Sequence, residues 1–213
     1  MSAAERSERQ AQATLLLRIE ADNQAWNDRM EAELNAAKCD GFPGPDQLGE
    51  PGGVAAQKQI VDTCRRILSR QREEAQGQFA KATGWIDAAN FPPALRREVR
   101  AGFEQTAAAS RQHVEWAFAT TARIYELEGD LLDFLERERG HWAAQAGTLG
   151  FDSDALIDEY RRRIQAMQSI GEELEADMKA QEDIRRRLNA AVRTIDPDAR
   201  PNAPVEIVSP PAP

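Results

Sequence analysis

The sequence predicts an all-α protein: an elongated antiparallel bundle of about four long helices with coiled-coil-like packing, followed by a disordered Pro-rich tail. Two observations point there. Charged residues make up 30% of the 213 residues and aromatics only 6%, with Ala, Glu, Gln and Arg dominant and few β-branched runs, which is the usage of long helices. Apolar residues also recur at spacings of three and four over several long stretches, the mark of one helical face.

The first helix is expected over 3–38. Ser2 to Glu5 fits a capping box, in which two side chains satisfy orphan amides at a helix start. Its stripe runs through Leu15, Ile19, Trp26, Met30 and Leu34. A Gly- and Pro-rich stretch follows. The second helix is expected over 54–88, on the stripe Ile60 or Val61, Cys64, Ile67 or Leu68, Gln71, Ala75, Phe79, Ala82 and Ile86. "NFPP" then breaks the chain, because proline cannot donate inside a helix but fits its first turn. The third helix starts near Pro93 and carries Val99, Phe103, Val114, Phe118, Tyr125, Glu128, Leu132 and Leu135 on one stripe. Its end is expected at Gly140 or Gly147, so the helix is placed over 93–146. "GTLGFDSD" reads as a turn whose acids suit the positive end of the next helix. The fourth helix, 153–195, has the cleanest stripe: Ile157, Tyr160, Ile164, Met167, Gly171, Leu174, Met178 and on through Arg185 to Ile195. Its alternation of three and four is the heptad signature. The tail, 196–213, is Pro-rich and short of core residues, so it is expected to be disordered.

Cys39 and Cys64 are the only cysteines, and they bracket most of the Gly and Pro of the N-terminal half. A zinc site would need His113 and His141 as well, at a spacing that matches no finger or ribbon. Their separation excludes a CxxC-type redox pair. A Cys39–Cys64 disulfide needs the first two helices to run antiparallel, with a loop that rises and folds back. In the other reading, Cys64 is a small core hydrophobe on the apolar stripe. Both readings stay open at the level of sequence.

Other motifs resolve into plain explanations. Glu138 and His141 have the Glu-x-x-His spacing of di-iron bundles, but no second copy exists. The acids around Asp152 lack the glycine and terminal ligand of a calcium loop. Arg161 to Arg163 fan around the helix and read as solvated flanks pairing with nearby acids. No phosphate loop, nucleophile elbow or zinc-protease motif appears. The expectation is therefore a non-enzymatic protein with no catalytic residue, cofactor or metal.

Partners follow from charge and apolar excess. The net charge of −9 disfavours nucleic acid, whose binding rewards positive charge. No window approaches a membrane span, although peripheral lipid contact stays open. Leu15, Leu16 and Leu17 sit 100° apart, so no single stripe buries all three, and Leu131, Leu132, Phe134 and Leu135 pose the same problem. Trp116 falls off the stripe and is a candidate contact anchor. From the helix lengths, the third and fourth helices should outrun the others by about 10–25 Å. The overhang would hold Leu131, Leu132, Phe134, Leu135 and Trp142, which points to a homo-oligomer joined through this tip. The rival is that the first helix or the Cys39–Gly53 loop folds over it.

The function expected from all this is a scaffold or adaptor acting through long helical surfaces, protein partners and self-association. The alternatives are an amphipathic coat on a lipid or hydrophobic-granule surface, or a component of a secretion or assembly apparatus. The Ala and Arg bias hints at a bacterial source. The cytoplasm is the simplest location; a chain trimmed of a leader would read identically and belong outside it.

Overall fold

The computed structural model describes residues 3–39 and 41–195. The capping box at Ser2 to Glu5, the side chains of the stripe from Arg185 to Ile195, and the tail from residue 196 lie outside the described part. Long helices make up most of the described residues. They are α1 (Ala3–Ala36), the short α2 (Pro45–Gly49), α3 (Gly53–Ala88), α4 (Pro93–Arg137) and α5 (Asp154–Ile195). Between α4 and α5 lies an antiparallel hairpin of β1 (Trp142–Gln145) and β2 (Thr148–Phe151). No described helix is long and apolar enough to cross a membrane.

Two compact units divide the chain. The first combines Met1–Arg29, Ala75–Arg111 and Ala180–Pro213. Here α1 runs antiparallel to α3: Asp22 meets Lys81 at 2.5 Å and Arg18 stacks over the Trp85 ring at 4.3 Å. The "NFPP" turn closes on a core of Leu15, Ile86, Phe91 and Val99, flanked by Ile19, Trp85 and Leu95. Arg96 stops α3 chemically, donating to the carbonyls of Ala89 and Phe91 at 3.1 and 3.2 Å. The Ala89 carbonyl also accepts from the Phe91 amide at 2.8 Å, so the turn after α3 is held from two sides.

The second unit combines Met30–Glu74 and Gln112–Lys179. Here α3 runs antiparallel to α4, with Gln57 beside Glu128, Lys58 beside Asp133 and Arg72 beside Glu115. The end of α1 joins through Glu33, which pairs with Arg70 and accepts from Gln71 at 2.8 Å. The core holds Leu48, Val54, Val61, Leu68, Phe118, Tyr125 and the Leu131–Leu135 cluster.

Two expectations need correction. The third helix does not reach 146 but ends at Arg137, and Trp142 lies in a strand. Gly140 has φ +96°, which breaks the helical run. Ala146 and Gly147 then take φ +51° and +75°, the left-handed pair that a two-residue hairpin turn needs. Residues of the two strands alternate between half-buried and exposed, and Trp142 faces Phe151 across the ladder. Ala and Gln in "WAAQAG" favour helix by propensity; the aromatic cross-strand pair overrides them. The second correction is α2, a helix of 5 residues where only a loop was expected. Pro45 at its first turn presets its geometry.

Candidate functional site

The chemistry-bearing part of the second unit begins at the end of α1. Lys38 adopts φ +61°, and the Cys39 amide donates back to the Leu34 carbonyl at 2.9 Å, so the helix stops just before the cysteine. Cys64 lies three turns into α3 and is 1% exposed. The two are joined by a disulfide, with their Cα atoms 5.8 Å apart. The bridge spans a sequence separation of 25 and encloses α2. Removing that loop's freedom from the unfolded chain stabilises the fold by about 3 kcal/mol. The Tyr125 hydroxyl of α4 donates to the Cys39 carbonyl at 3.5 Å.

Behind the clasp lies a polar seam between α3 and α4. Gln57 donates to Glu128 Oε1 at 2.8 Å, and both residues are buried. Desolvation pushes the Glu128 carboxyl above the usual carboxylate range, against the pull of Gln57 and of Arg65. Arg65 donates to the Tyr125 carbonyl at 2.8 Å. It can cross α4 there because the facing residue is Gly129: a Cβ at that position would lie 2.6 Å from the guanidinium. Lys58 bridges Asp133 and Glu136 nearer the hairpin. Its bond to Asp133, then that to Glu136, holds the ammonium pKa up, while Lys58 holds the Glu136 carboxyl down.

The hairpin and α2 cover the end of this seam. Trp142 Nε1 donates to the Leu135 carbonyl at 2.7 Å, satisfying one of the orphan carbonyls of the α4 terminus. Phe151 lies 6.1 Å from Phe134 and 5.3 Å from Tyr160. Arg137 and Arg163 cover the Phe134 ring. The Gly147 amide donates to Asp46 of α2 at 3.3 Å, tying the hairpin tip to the disulfide loop. His141 meets Asp152 at 2.7 Å, and that hydrogen bond raises the imidazole pKa. Between α2 and the hairpin is a cavity of about 510 Å³, lined by Asp46, Glu50, Val54, Arg139 and Trp142 among others. The lining brings two carboxylates and one guanidinium together and no nucleophile beside a base. Among the described residues no group of three potential metal ligands assembles.

The contact candidates from the sequence fall into different places. Leu131, Leu132 and Leu135 are 0% exposed and Phe134 is 1% exposed within a single chain. The expected wet tip is therefore overturned. The hairpin takes part in the cover: half-buried Trp142 donates to the Leu135 carbonyl and Phe151 lies 6.1 Å from Phe134, with Arg137 and Arg163 over the same ring. Leu15 is core in the first unit, with Leu16 and Leu17 half-buried beside it. Trp116 is 38% exposed and stacks on His113, which faces Asp177 of α5 at 3.4 Å. The Gln57–Glu128 pair was missed, although a Glu standing on an apolar stripe was its visible signal.

One further feature concerns α5. Among its described side chains none is fully buried. Tyr160, Ile164, Met167, Gly171 and Leu174 are half-buried, and Met178 is 64% exposed. A helix resting on one neighbour buries one side of its stripe and leaves the other to solvent.

Fold and site together define a class: a helical bundle whose loop is clasped by one disulfide and capped by a β-hairpin. No protein-family model matches the chain, and no curated protein or solved structure matches it either.

Proposed function

We propose that the protein is a non-enzymatic scaffold or adaptor that works through its helical surfaces and self-association. The observation that carries this reading is the half-covered face of α5. A heptad stripe maintained over many turns, with no fully buried side chain among those described, is a surface laid out for another helix. Trp116 adds a second exposed anchor of the kind enriched at protein interfaces. Sedimentation equilibrium of the purified chain tests it: a mass above that of one chain supports self-association, and a monomer at tens of micromolar, about the Kd of a weak interface, sinks it.

The disulfide favours a second element of the reading. Structural disulfides persist in oxidising compartments, so Cys39–Cys64 favours an extracytoplasmic assembly component over a cytoplasmic one. Counting thiols under denaturing, non-reducing conditions in protein from the native host decides between them. The lipid-coat alternative has less support. The large apolar side chains that stand exposed among the described residues are Trp116 and Met178, too few for the continuous apolar face of an interfacial helix. Co-sedimentation with vesicles would revive it.

A further inference from the structure

We infer that the uncovered edge of α5 is an isologous interface, on which a second copy of the chain packs its own α5 antiparallel about a two-fold axis at Gln168. The inference rests on the self-association proposed above and names the surface that performs it.

The edge is defined by spacing. Ile157, Ile164, Gly171 and Met178 follow one another at intervals of seven, and Arg161, Gln168 and Glu175 flank them at the same interval. All belong to the second unit. The neighbouring stripe is occupied within the chain: Arg163 covers the Phe134 ring and Asp177 faces His113. Ile157, Ile164 and Gly171 are half-buried, while Arg161, Gln168, Glu175 and Met178 stand exposed beside them. Arg161 is 69% exposed, Glu175 68% and Met178 64%. At Gly171 an added Cβ would meet nothing within 4 Å.

A two-fold contact must be complementary to itself, since each residue meets its counterpart's partner in return. This edge satisfies that condition in one register. Turning α5 end over end about Gln168 places Arg161 opposite Glu175 of the second copy, and Glu175 opposite Arg161. It places Ile164 opposite the gap at Gly171, and Ile157 beside the exposed Met178. Charge, size and apolar surface therefore complement each other. The parallel alignment sets Arg161 against Arg161 and Glu175 against Glu175, a like-charge arrangement that opposes it. Within the chain Arg161 pairs with Asp158 at 3.8 Å and Glu175 with Lys179 at 2.7 Å, and such exposed pairs hold their side chains weakly.

The two native cysteines are bonded to each other, so Gln168→Cys introduces a single free thiol. Under mild oxidation this variant should form a disulfide-linked dimer nearly quantitatively, while Ala166→Cys, exposed on another side of α5, should not. By sedimentation equilibrium, Arg161→Glu and Glu175→Arg should each shift the mass from dimer to monomer, and the double variant should restore the dimer. Gly171→Leu fills the gap and should also give a monomer, while circular dichroism shows unchanged helicity. If wild type is oligomeric but the Gln168→Cys variant does not cross-link and the charge reversals change nothing, this surface is wrong and self-association lies elsewhere. If wild type is a monomer, both this inference and the reading beneath it fail, and the edge is left to a different partner.

Discussion

Glu128 is a carboxyl placed where a carboxylate is expensive. It is 6% exposed and accepts a hydrogen bond from Gln57. The folded protein therefore holds its proton more tightly than the unfolded chain does, whose ordinary value is 4.5. Between that value and the raised folded one, the folded state binds more protons, so stability falls as pH rises through the window. Glu128→Gln removes the charge and keeps an oxygen to accept from Gln57. It should stabilise the protein at neutral pH by on the order of 1 kcal/mol. The gain should be small below pH 4.5 and grow as pH rises, levelling off above the folded pKa. Urea unfolding of both proteins across this range measures the gap; a gap that is flat with pH, or widens toward acid, contradicts it. The stripe showed a Glu among apolar residues, so the oddity was legible, but its partner 71 residues away was not.

At the scale of elements, the hairpin between α4 and α5 is where local and long-range forces disagree. Ala146 has φ +51°, a conformation that costs an alanine roughly 1–2 kcal/mol. Asn tolerates the left-handed region, and Asn-Gly is the favoured pair for a two-residue hairpin turn. Ala146→Asn should therefore stabilise the chain by about 1 kcal/mol, raising the urea midpoint while leaving the slope unchanged. A lower midpoint would mean the turn is held by other contacts. In the opposite direction, Trp142→Ala removes half-buried ring surface and the donor to the Leu135 carbonyl. A loss of about 2 kcal/mol is expected, below that of a fully buried Trp because the ring is only partly covered.

At the scale of the whole molecule, the disulfide acts on one unit. Cys39 and Cys64 both lie in the unit of Met30–Glu74 and Gln112–Lys179. Cys39→Ser/Cys64→Ser should lose about 3 kcal/mol by the loop-entropy argument, lowering Tm by roughly 6–12 °C for a chain of this size. Hydrogen exchange should rise in residues 30–74 and 112–179 and stay unchanged over 75–111. Equal loosening in both units would show that they unfold as one cooperative body. Self-association belongs to this scale too, and the charge reversals at Arg161 and Glu175 decide it.

Periodicity alone determined the long helices. Spacings of three and four reflect 3.6 residues per turn, a local property, so the all-α class could be read directly; proline marked the break at "NFPP", and the short connections after the second and third helices favoured antiparallel neighbours there. The heptad edge of α5 was legible for the same reason. Only the tertiary structure decided three other things. It joined Cys39 to Cys64, because a bond between distant residues depends on where the loop between them folds. It turned "WAAQAGTLGF" into a hairpin, because pairing of Trp142 with Phe151 outweighs alanine's helical preference once Phe134 and Tyr160 lie beneath. And it enclosed Leu131, Leu132, Phe134 and Leu135 within one chain. Apolar residues on several faces of a helix announce that something covers them; what covers them is a matter of non-local packing, which no spacing along the chain records.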